Sequence, residues 1–525
     1  MVLPLLLLFA QQPPAPPVES LRARIEQLHD LPGATVRGAR LRQRDVVVHF
    51  FENRSFAPAW KLPDGAEEIR EAIKGIERDG LTPAHYHLEI IGRLLLARKT
   101  AAGGGLDEDL QILLADAVAA MLDDARYGRV EPSSLDRRWN IDPRAGAPPL
   151  GTLLEQVATA SSPAAAIESL KPNHFTYTGL RDALARMRAV QAAGGWPTIP
   201  AGPTLKPGAN DPRVADLRAR LAATGDLPRE LPPSSPEFDS AVTAAVKHFQ
   251  ENHRLTADGV VGPATLQELN VGPAARAEQI RVNLERIRWV IGGLEDTFVL
   301  VNLPSFKLYV IRDRKNVWES RTVIGQTARQ TPTFRADMKY LVLNPDWTVP
   351  PTILAQDVLA PMRRGGNAVA RKGLMILDRQ GRMVSPSSID WSTASPRNFP
   401  YVLRQPPGPN NALGRVKFVF PNEYTVFLHD TPSQDLFTAD RRTFSSGCIR
   451  VEHALDLAAL LLGPQGWTAQ RIQTAIDAGR TETVFLDAPI PVVIVYWTAS
   501  VSASGQLRFA RDVYKRDDRL LRALE

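Results

Sequence analysis

The chain has 525 residues, of which 44% are hydrophobic and 23% are charged, with a net charge of +6 and a pI near 9.4. This composition is typical of a globular protein of about three domains, and it excludes both a disordered polyelectrolyte and a bundle of membrane-spanning helices. Lys and Arg are spread along the chain without long basic blocks, so we expect no nucleic-acid partner and only a mild surface preference for anionic polymers.

The chain begins with an apolar run that is too short to span a bilayer. Residues 1–10 are nearly all apolar and a Pro-rich run follows to residue 17, whereas a membrane-crossing helix needs about 20 apolar residues. We therefore predict that 1–17 form a secretion signal and a tether, and that the protein is exported. A plain apolar tail is the alternative.

Residues 18–195 are predicted to form a mostly helical domain. The apolar run at 46–51 is interpreted as one interrupting strand. Isoleucines at 69, 73 and 76 repeat at helical spacing behind Asp64, a candidate N-cap, and one apolar face continues over 110–121.

This helical segment shows no catalytic pattern. Its acids, histidines and glycines do not cluster, and His85 and His87 lack partners at ligand spacing, so a polar loop is the favoured interpretation there. We predict a scaffold region without a metal site.

A compact module follows a linker. Gly, Pro and Thr dominate 194–208, and Asp211-Pro212 then opens a predicted helix, with a second helix over 238–249. The run Asp258-Gly259-Val260-Val261-Gly262-Pro263 supplies tight bends and places Pro263 at the start of a closing helix. This run resembles that of the three-helix peptidoglycan-binding module, which we predict at 196–275; a helical spacer is the alternative.

The following sequence is rich in predicted strands. An amphipathic helix over 279–290 leads into a hairpin whose strands, 306–311 and 317–324, flank a polar turn. A helix is predicted over 451–462. Further strands are expected at 340–343, 416–420, 425–428, 484–486 and 492–497, the last two returning to the scaffold or the sheet edge.

The single cysteine lies in a turn of small residues, Ser445-Ser446-Gly447-Cys448, 19 positions after His429. Such a turn can aim N–H groups at an oxyanion while the sulfur stays exposed, and an imidazole can serve as its base. The helix predicted after the turn would also lower the thiol pKa through its dipole. The pattern indicates a thiol nucleophile; a buried structural cysteine is the alternative.

These residues resemble the YkuD-type L,D-transpeptidase domain, whose signature is a histidine, a spacer, Ser/Thr-His-Gly-Cys, and Arg or Asn two residues later. Ser446 stands where many members carry a second histidine. The resemblance covers about 297–490. It includes Leu303-Pro304, Leu308-Tyr309-Val310, Val323-Ile324-Gly325, Gln330-Thr331-Pro332, Asn344-Pro345 with Trp347, and Asn411-Ala412-Leu413-Gly414.

The resemblance implies an α+β multidomain protein of the large Gram-negative branch. Its mostly β catalytic domain would occupy 276–490, with a capping insertion at about 350–410 that excludes water. The helical scaffold and the three-helix module would precede it, and a C-terminal strand and tail at 491–525 would pack on the scaffold or the sheet.

The resemblance also implies the reaction. Such an enzyme joins two diaminopimelate residues of peptidoglycan stem peptides through a cysteine thioester, releases D-alanine, needs no cofactor, and serves cell-wall biogenesis and cell shape in the periplasm. Carbapenems would be covalent inhibitors, and the resemblance does not identify which envelope proteins, if any, are partners. An L,D-carboxypeptidase using the same thioester and a non-catalytic wall-binding protein are the alternatives.

Each candidate site residue has an expected role. Arg450 could alternatively brace the turn. Asp430 could orient the imidazole or merely cap a turn, and a backbone carbonyl is the favoured orienter. The expected roles are catalysis for Cys448 and His429, oxyanion binding in the turn for Ser446 and Gly447, substrate binding for Trp347, Ser445 and Arg450, and imidazole orientation for Asp430.

Overall fold

The computed structural model describes residues 17–31, 33–100, 105–228 and 234–525. The predicted secretion signal and tether, apart from Pro17, lie outside these ranges. The described part of the chain is a mixed α+β structure, as expected, with a helical N-terminal region and one large sheet. No helix in the described ranges combines the length and the apolarity that crossing a bilayer requires.

The N-terminal region packs its helices around one long, almost fully buried helix, α5. The helices are α1 (Pro17–Asp30), α2 (Arg44–Asn53), α3 (Asp64–Gly75), α4 (Leu88–Arg98), α5 (Leu106–Tyr127), α6 (Pro132–Leu135), α7 (Leu150–Thr159), α8 (Pro163–Ser169) and α9 (Phe175–Ala192).

Two local predictions are wrong in this region. Residues 46–51 belong to α2 instead of a strand, because Val47, Val48, Phe50 and Phe51 share one buried helical face and tertiary packing overrides β propensity. Asp64 is the first residue of α3, and Pro63 takes the cap position without a side-chain hydrogen bond.

The three-helix module is confirmed as α10 (Arg213–Thr224), α11 (Ser240–Asn252) and α12 (Pro263–Leu269) around their own apolar core. Pro263 is the first residue of α12, as predicted. The preceding bend depends on Gly259, whose φ of +77° favours glycine, and on the Gln250 amide, which donates to Asp258 and to the Val260 carbonyl.

A nine-stranded sheet forms the C-terminal domain behind α13 (Pro273–Ile291). The strands are β1 (Phe298–Asn302), β2 (Lys307–Arg312), β3 (Lys315–Gly325), β4 (Phe334–Leu343), β8 (Val416–Val419), β9 (Leu428–His429), β10 (Thr443–Ser445), β11 (Ile449–Val451) and β12 (Glu482–Val495). Their order in the sheet is β10-β3-β11-β9-β8-β4-β12-β1-β2, and β2 also pairs with β3, so the sheet closes on itself.

One strand prediction and one helix prediction need correction here. The late strands are one continuous β12, which lies inside the sheet between β4 and β1, and the boundary predicted at residue 490 falls within it. The cysteine turn runs into β11, and α17 (Ala454–Leu462) begins only afterwards, followed by α18 (Ala469–Asp477). Cys448 therefore does not start a helix, and the predicted help from a helix dipole is absent.

The predicted insertion is a small folded unit with its own apolar core. It contains a three-stranded sheet in the order β5-β7-β6, formed by β5 (Trp347–Thr348), β6 (Met375–Leu377) and β7 (Val402–Gln405). Its helical part comprises α14 (Pro351–Ile353), a π-helical turn (Leu354–Leu359), α15 (Ala360–Arg363) and α16 (Ala368–Arg371).

The C-terminal segment contains a short hairpin, β13 (Ala499–Val501) and β14 (Leu507–Phe509), and α19 (Asp517–Leu524). Its apolar residues share a core with α9 and α13, so the tail joins the helical region to the sheet.

Candidate active site

Three neighbouring strands bring polar side chains to one face of the large sheet. His429 on β9 lies opposite Lys417 on β8 and opposite Arg450 on β11. Directly opposed residues project to the same face, and Arg450 shares its face with Cys448, two positions earlier. The alternate positions, including Leu428 and Ile449, are fully buried on the opposite face.

Cys448 is half-buried, and its thiol donates a hydrogen bond to the Thr425 carbonyl at 3.7 Å. Burial raises the pKa of the thiol to about 11, despite the opposing effects of the Phe427 backbone and of the charges on Lys417 and Arg450. The resting thiol of Cys448 is therefore neutral at neutral pH.

His429 is held in one orientation by the backbone. Its Nδ1 lies 2.5 Å from the Asp430 carbonyl, which can only accept, so Nδ1 carries the proton and Nε2 is the basic nitrogen. The Asp430 carboxylate instead accepts from the backbone N–H and the Nε of Arg415. Asp430 thus contacts the imidazole through its main-chain carbonyl. This contact agrees with the interpretation that a backbone carbonyl, and not the Asp430 carboxylate, orients the ring.

Burial, followed by the charge on Arg450, lowers the pKa of His429 to about 3. The imidazole is therefore neutral at neutral pH. Within the described residues no hydrogen bond joins it to Cys448, whose thiol bonds Thr425. The two groups rest as a neutral pair, and thiolate formation must accompany a later step.

The cysteine turn is held by its own first residue. The Ser445 hydroxyl donates to the Cys448 carbonyl at 2.5 Å and accepts from the Gly447 N–H at 3.1 Å. Gly447 has a φ of +123°, which explains the glycine. Thr331 adds a bond from its hydroxyl to the Gly447 carbonyl at 2.8 Å.

The same turn leaves two N–H groups available. Within the described ranges, the N–H groups of Ser446 and Cys448 form no hydrogen bond, whereas that of Gly447 is occupied by Ser445. An oxyanion in this turn would therefore find donors at residues 446 and 448.

Ser446 connects the turn to the insertion. Arg329 donates to the Ser446 hydroxyl at 2.6 Å and forms a bidentate pair with Asp357 at 2.9 Å in the π-helical turn. We call this arrangement the Ser446–Arg329–Asp357 link. Ser446 stands at the position where many YkuD-type domains carry a second histidine, and here its hydroxyl accepts from Arg329. The link fixes one edge of the insertion beside Cys448.

Two cations flank Cys448 without carboxylate partners in the described part of the chain. Arg450 forms no side-chain hydrogen bond or ion pair in the described part of the chain, and its Nε is buried without a partner. Arg450 therefore does not brace the turn. Lys417 lies over the Phe427 ring at 4.0 Å, and burial lowers its pKa. Both charges are available to a ligand beside the sulfur.

The structure separates the predicted site residues into two groups. Cys448, His429 and Arg450 share the strand face, and residues 445–447 form the adjoining turn. Trp347 lies elsewhere, in the apolar core of the insertion, with 9% of its surface exposed.

Sequence reasoning missed Lys417, Arg329 and Asp357. Lys417 comes next to His429 only through strand register, which no spacing rule gives. Thr331 belongs to a motif quoted for the resemblance, so its position could have been suspected.

Three family models match successive parts of the chain. Residues 45–184 match "Scaffold domain", 210–269 match "Putative peptidoglycan binding domain", and 296–494 match "L,D-transpeptidase catalytic domain" of the YkuD family. Lys417, His429, Cys448 and Arg450 all lie within the stretch, 296–494, that matches the YkuD family model.

A curated protein of Haemophilus influenzae, named "Putative L,D-transpeptidase", is 36% identical over 240 residues, which are 46% of this chain and 48% of that protein. The match thus spans about half the length of the relative.

Two solved L,D-transpeptidase structures were also found. That from Xylanimonas cellulosilytica (residues 123-326) is 15% identical with a TM-score of 0.20, covering 56% of this chain and 98% of its own. That from Stackebrandtia nassauensis is 14% identical with a TM-score of 0.22, covering 57% and 96%. These TM-scores are too low to support any conclusion about this chain.

Proposed function

We propose that the protein is an L,D-transpeptidase that joins diaminopimelate to diaminopimelate in peptidoglycan. The observation that carries the proposal is the half-buried thiol of Cys448 on one strand face with the backbone-oriented imidazole of His429 and the unpaired Arg450. The YkuD domain and the peptidoglycan-binding match support the polymer as substrate.

In the first half-reaction, Cys448 Sγ attacks the carbonyl of the diaminopimelate at the third position of a tetrapeptide stem. His429 Nε2 takes the thiol proton as the S–C bond forms, because a thiol with a pKa of about 11 is not ionised beforehand. The proton then passes to the nitrogen of the terminal D-alanine as the C–N bond breaks.

The negative charge of the tetrahedral intermediate is assigned to the N–H groups of Ser446 and Cys448. Fixed donors of this kind contribute about 3 kcal/mol each at the transition state. The Gly447 N–H is left out of this role because Ser445 already accepts from it. Ser445 and Gly447 then act by shaping the turn.

In the second half-reaction, the side-chain amine of another stem's diaminopimelate attacks the thioester. His429 accepts a proton from the amine as the C–N bond forms and returns it to sulfur as the C–S bond breaks, which restores the thiol and leaves an amide cross-link. Arg450 and Lys417 are assigned to stem carboxylates. The insertion, held by the Ser446–Arg329–Asp357 link, limits water as a competing acceptor.

The three-helix module is assigned to binding the polymer near the catalytic domain. The three-helix module raises the local concentration of glycan and stem peptide near the thiol, as a tethered binding unit does. A periplasmic location after export follows from this substrate. Carbapenems, which acylate such thiols, are expected to label Cys448.

The test is intact-protein mass spectrometry after incubation with disaccharide tetrapeptides, with chromatography of the products. We expect an acyl adduct on Cys448 and a dimeric product, both lost in Cys448→Ala. Trimmed monomers alone would indicate the carboxypeptidase. Absence of any adduct, with carbapenems also failing to label a folded protein, would indicate a non-catalytic binding protein.

A further inference from the structure

A second concave site lies between the helical region and the sheet. It is a cavity of about 400 Å³, within the size range of small-molecule sites. Its walls come from the chain around α6, from α13, from the loop at 330–333, from the end of β12 and from residues 514–520. None of the residues on the Cys448 strand face lines it.

The walls of this cavity carry an excess of positive charge. Asp136 is the acidic residue among them, and Arg286 is neutralised by Asp517 at 2.6 Å. The remaining basic side chains have no carboxylate within ion-pair distance in the described ranges. These are Arg138, Lys515, Arg516 and Arg519. Concave walls with one sign of charge concentrate counter-ions.

Arg516 illustrates this lack of compensation. Its guanidinium donates to the Gln330 side chain at 2.9 Å and lies over the rings of Tyr496 and Tyr514, at 4.8 Å and 5.1 Å. Burial lowers the pKa of Arg516, and the neighbouring Arg286 lowers it further. A carboxylate in the cavity would stabilise this charge.

Aromatic side chains form the rest of the surface. Trp139 and Trp289 meet edge to face at 5.6 Å, and Tyr496 and Trp497 contribute further rings. Such walls favour a ligand with apolar faces over a bare inorganic ion.

We propose that this cavity binds a small molecule carrying two or more carboxylates on a body with apolar faces. A single carboxylate would leave several of the four unpaired cations uncompensated, and a polyanion such as nucleic acid would not fit 400 Å³. The ligand is either a free polycarboxylic acid or the carboxylate-rich stem of a wall peptide, which share this chemistry. The proposal does not depend on any reaction at Cys448.

The test is calorimetric titration of the full chain carrying Cys448→Ala, so that no acylation contributes. The probe is propane-1,2,3-tricarboxylate, and its neutral triamide and inorganic phosphate are compared with it. We expect saturable binding of the tricarboxylate, at least tenfold weaker in Arg138→Gln/Lys515→Gln and unchanged in Arg186→Gln. Arg186 is an exposed arginine of α9 that does not line the cavity.

The variants are chosen to preserve the fold. The Lys515 side chain forms no hydrogen bond or ion pair in the described part of the chain, and the Arg138 side chain only stacks on Tyr424. Arg519→Gln, which loses a bond to the Ser134 carbonyl, is the second variant should thermal unfolding show damage.

Equal binding by the variants, by the triamide or by phosphate overturns the proposal, as does the absence of saturable tricarboxylate binding. Displacement of the probe by a disaccharide tetrapeptide assigns the ligand to the wall, and failure of displacement assigns it to a free acid. Either result retains the carboxylate class.

Discussion

Two regions of this molecule contain buried charges, and they differ in whether the charge has an ion-pair partner. In the helical region, the carboxylate of Asp79 is fully buried, accepts hydrogen bonds from Lys171 and Tyr177 at 2.7 Å, and forms an ion pair with Arg181 at 2.8 Å. On the sheet face beside Cys448, Arg450 has no carboxylate partner among the described residues. The buried charge of the first region is therefore paired and that of the second is not.

This difference separates a structural contact from a candidate binding site. A compensated buried ion holds its neighbours in place, whereas an uncompensated one costs stability unless a ligand completes it. Burial raises the pKa of Cys448 and lowers that of His429, so both groups rest in their neutral forms in the second region.

Asp79→Ala should have the largest effect. Removing this carboxylate leaves the charges of Lys171 and Arg181 partly unpaired, and breaking such buried pairs costs about 3–5 kcal/mol of the free energy of unfolding. Chemical denaturation measures this loss. Asp182→Ala, at an exposed position of the same α9, is the control and should change the free energy by less than about 0.5 kcal/mol. If Asp79→Ala lowers the free energy of unfolding by less than about 1 kcal/mol, Asp79 is not a structural ion and the contrast with Arg450 does not hold.

Arg450→Gln should lower activity strongly while changing stability little, the opposite of the result expected for Asp79→Ala. We expect kcat/KM for cross-linking to fall about 100-fold, equivalent to about 2.7 kcal/mol, because a charge-assisted bond to a stem carboxylate is lost. The free energy of unfolding should stay within about 1 kcal/mol or rise. Arg450→Lys, which keeps the charge, should lose less activity. Strong destabilisation with unchanged kinetics would place Arg450 with the structural ions.

His429 should make the free energy of unfolding depend on pH. Its pKa is about 3 in the folded protein against an ordinary 6.5, so the unfolded state binds the proton first and acidification destabilises the fold between these values. Compared with His429→Gln, the parent protein should lose roughly 2–3 kcal/mol more on going from pH 7 to pH 4.5. Denaturation at both pH values measures this, and parallel losses in the two proteins would contradict it.

The neutral thiol predicts a steep alkylation profile. Because the pKa of Cys448 is about 11, its reaction with iodoacetamide should accelerate roughly tenfold per pH unit between pH 7 and pH 9. Mass spectrometry of the single cysteine gives the rate directly. A plateau reached below pH 8 would reveal a preformed thiolate instead.

The Ser446–Arg329–Asp357 link should have the smallest effect. Arg329→Gln is expected to lower cross-linking about fivefold to tenfold, or about 1 kcal/mol, and to speed amide exchange over 351–371. Asp357→Asn should do the same without adding to it. Arg382→Gln, which breaks an exposed pair inside the insertion, should change neither quantity.

Local signals were sufficient for the three-helix module and for the Cys448 turn. Pro263 fixes its own φ, and Gly259 tolerates the positive φ of the bend, so the bend and the helix start can be predicted there without knowing the fold. By contrast, residues 46–51 form a helix because their apolar face packs against other helices, which local propensity does not contain.

The prediction of a helix directly after Cys448 is wrong for a similar reason. Ile449–Val451 pairs with β3 and β9, strands that are distant in sequence, and this pairing extends the sheet where a helix was predicted. The electrostatic environment of Cys448 therefore differs from the expected one, since burial near Lys417 and Arg450 takes the place of the expected helix dipole.

The sequence by itself determined the candidate nucleophile, its histidine, the glycine turn between them and the succession of domains, because each depends on residue type and short-range spacing. Only the tertiary structure decided the protonation states of Cys448 and His429, the pairing of Ser446 with Arg329 and the charged cavity behind the sheet. These depend on burial and on contacts between residues far apart in the chain, which strand register and domain packing alone establish.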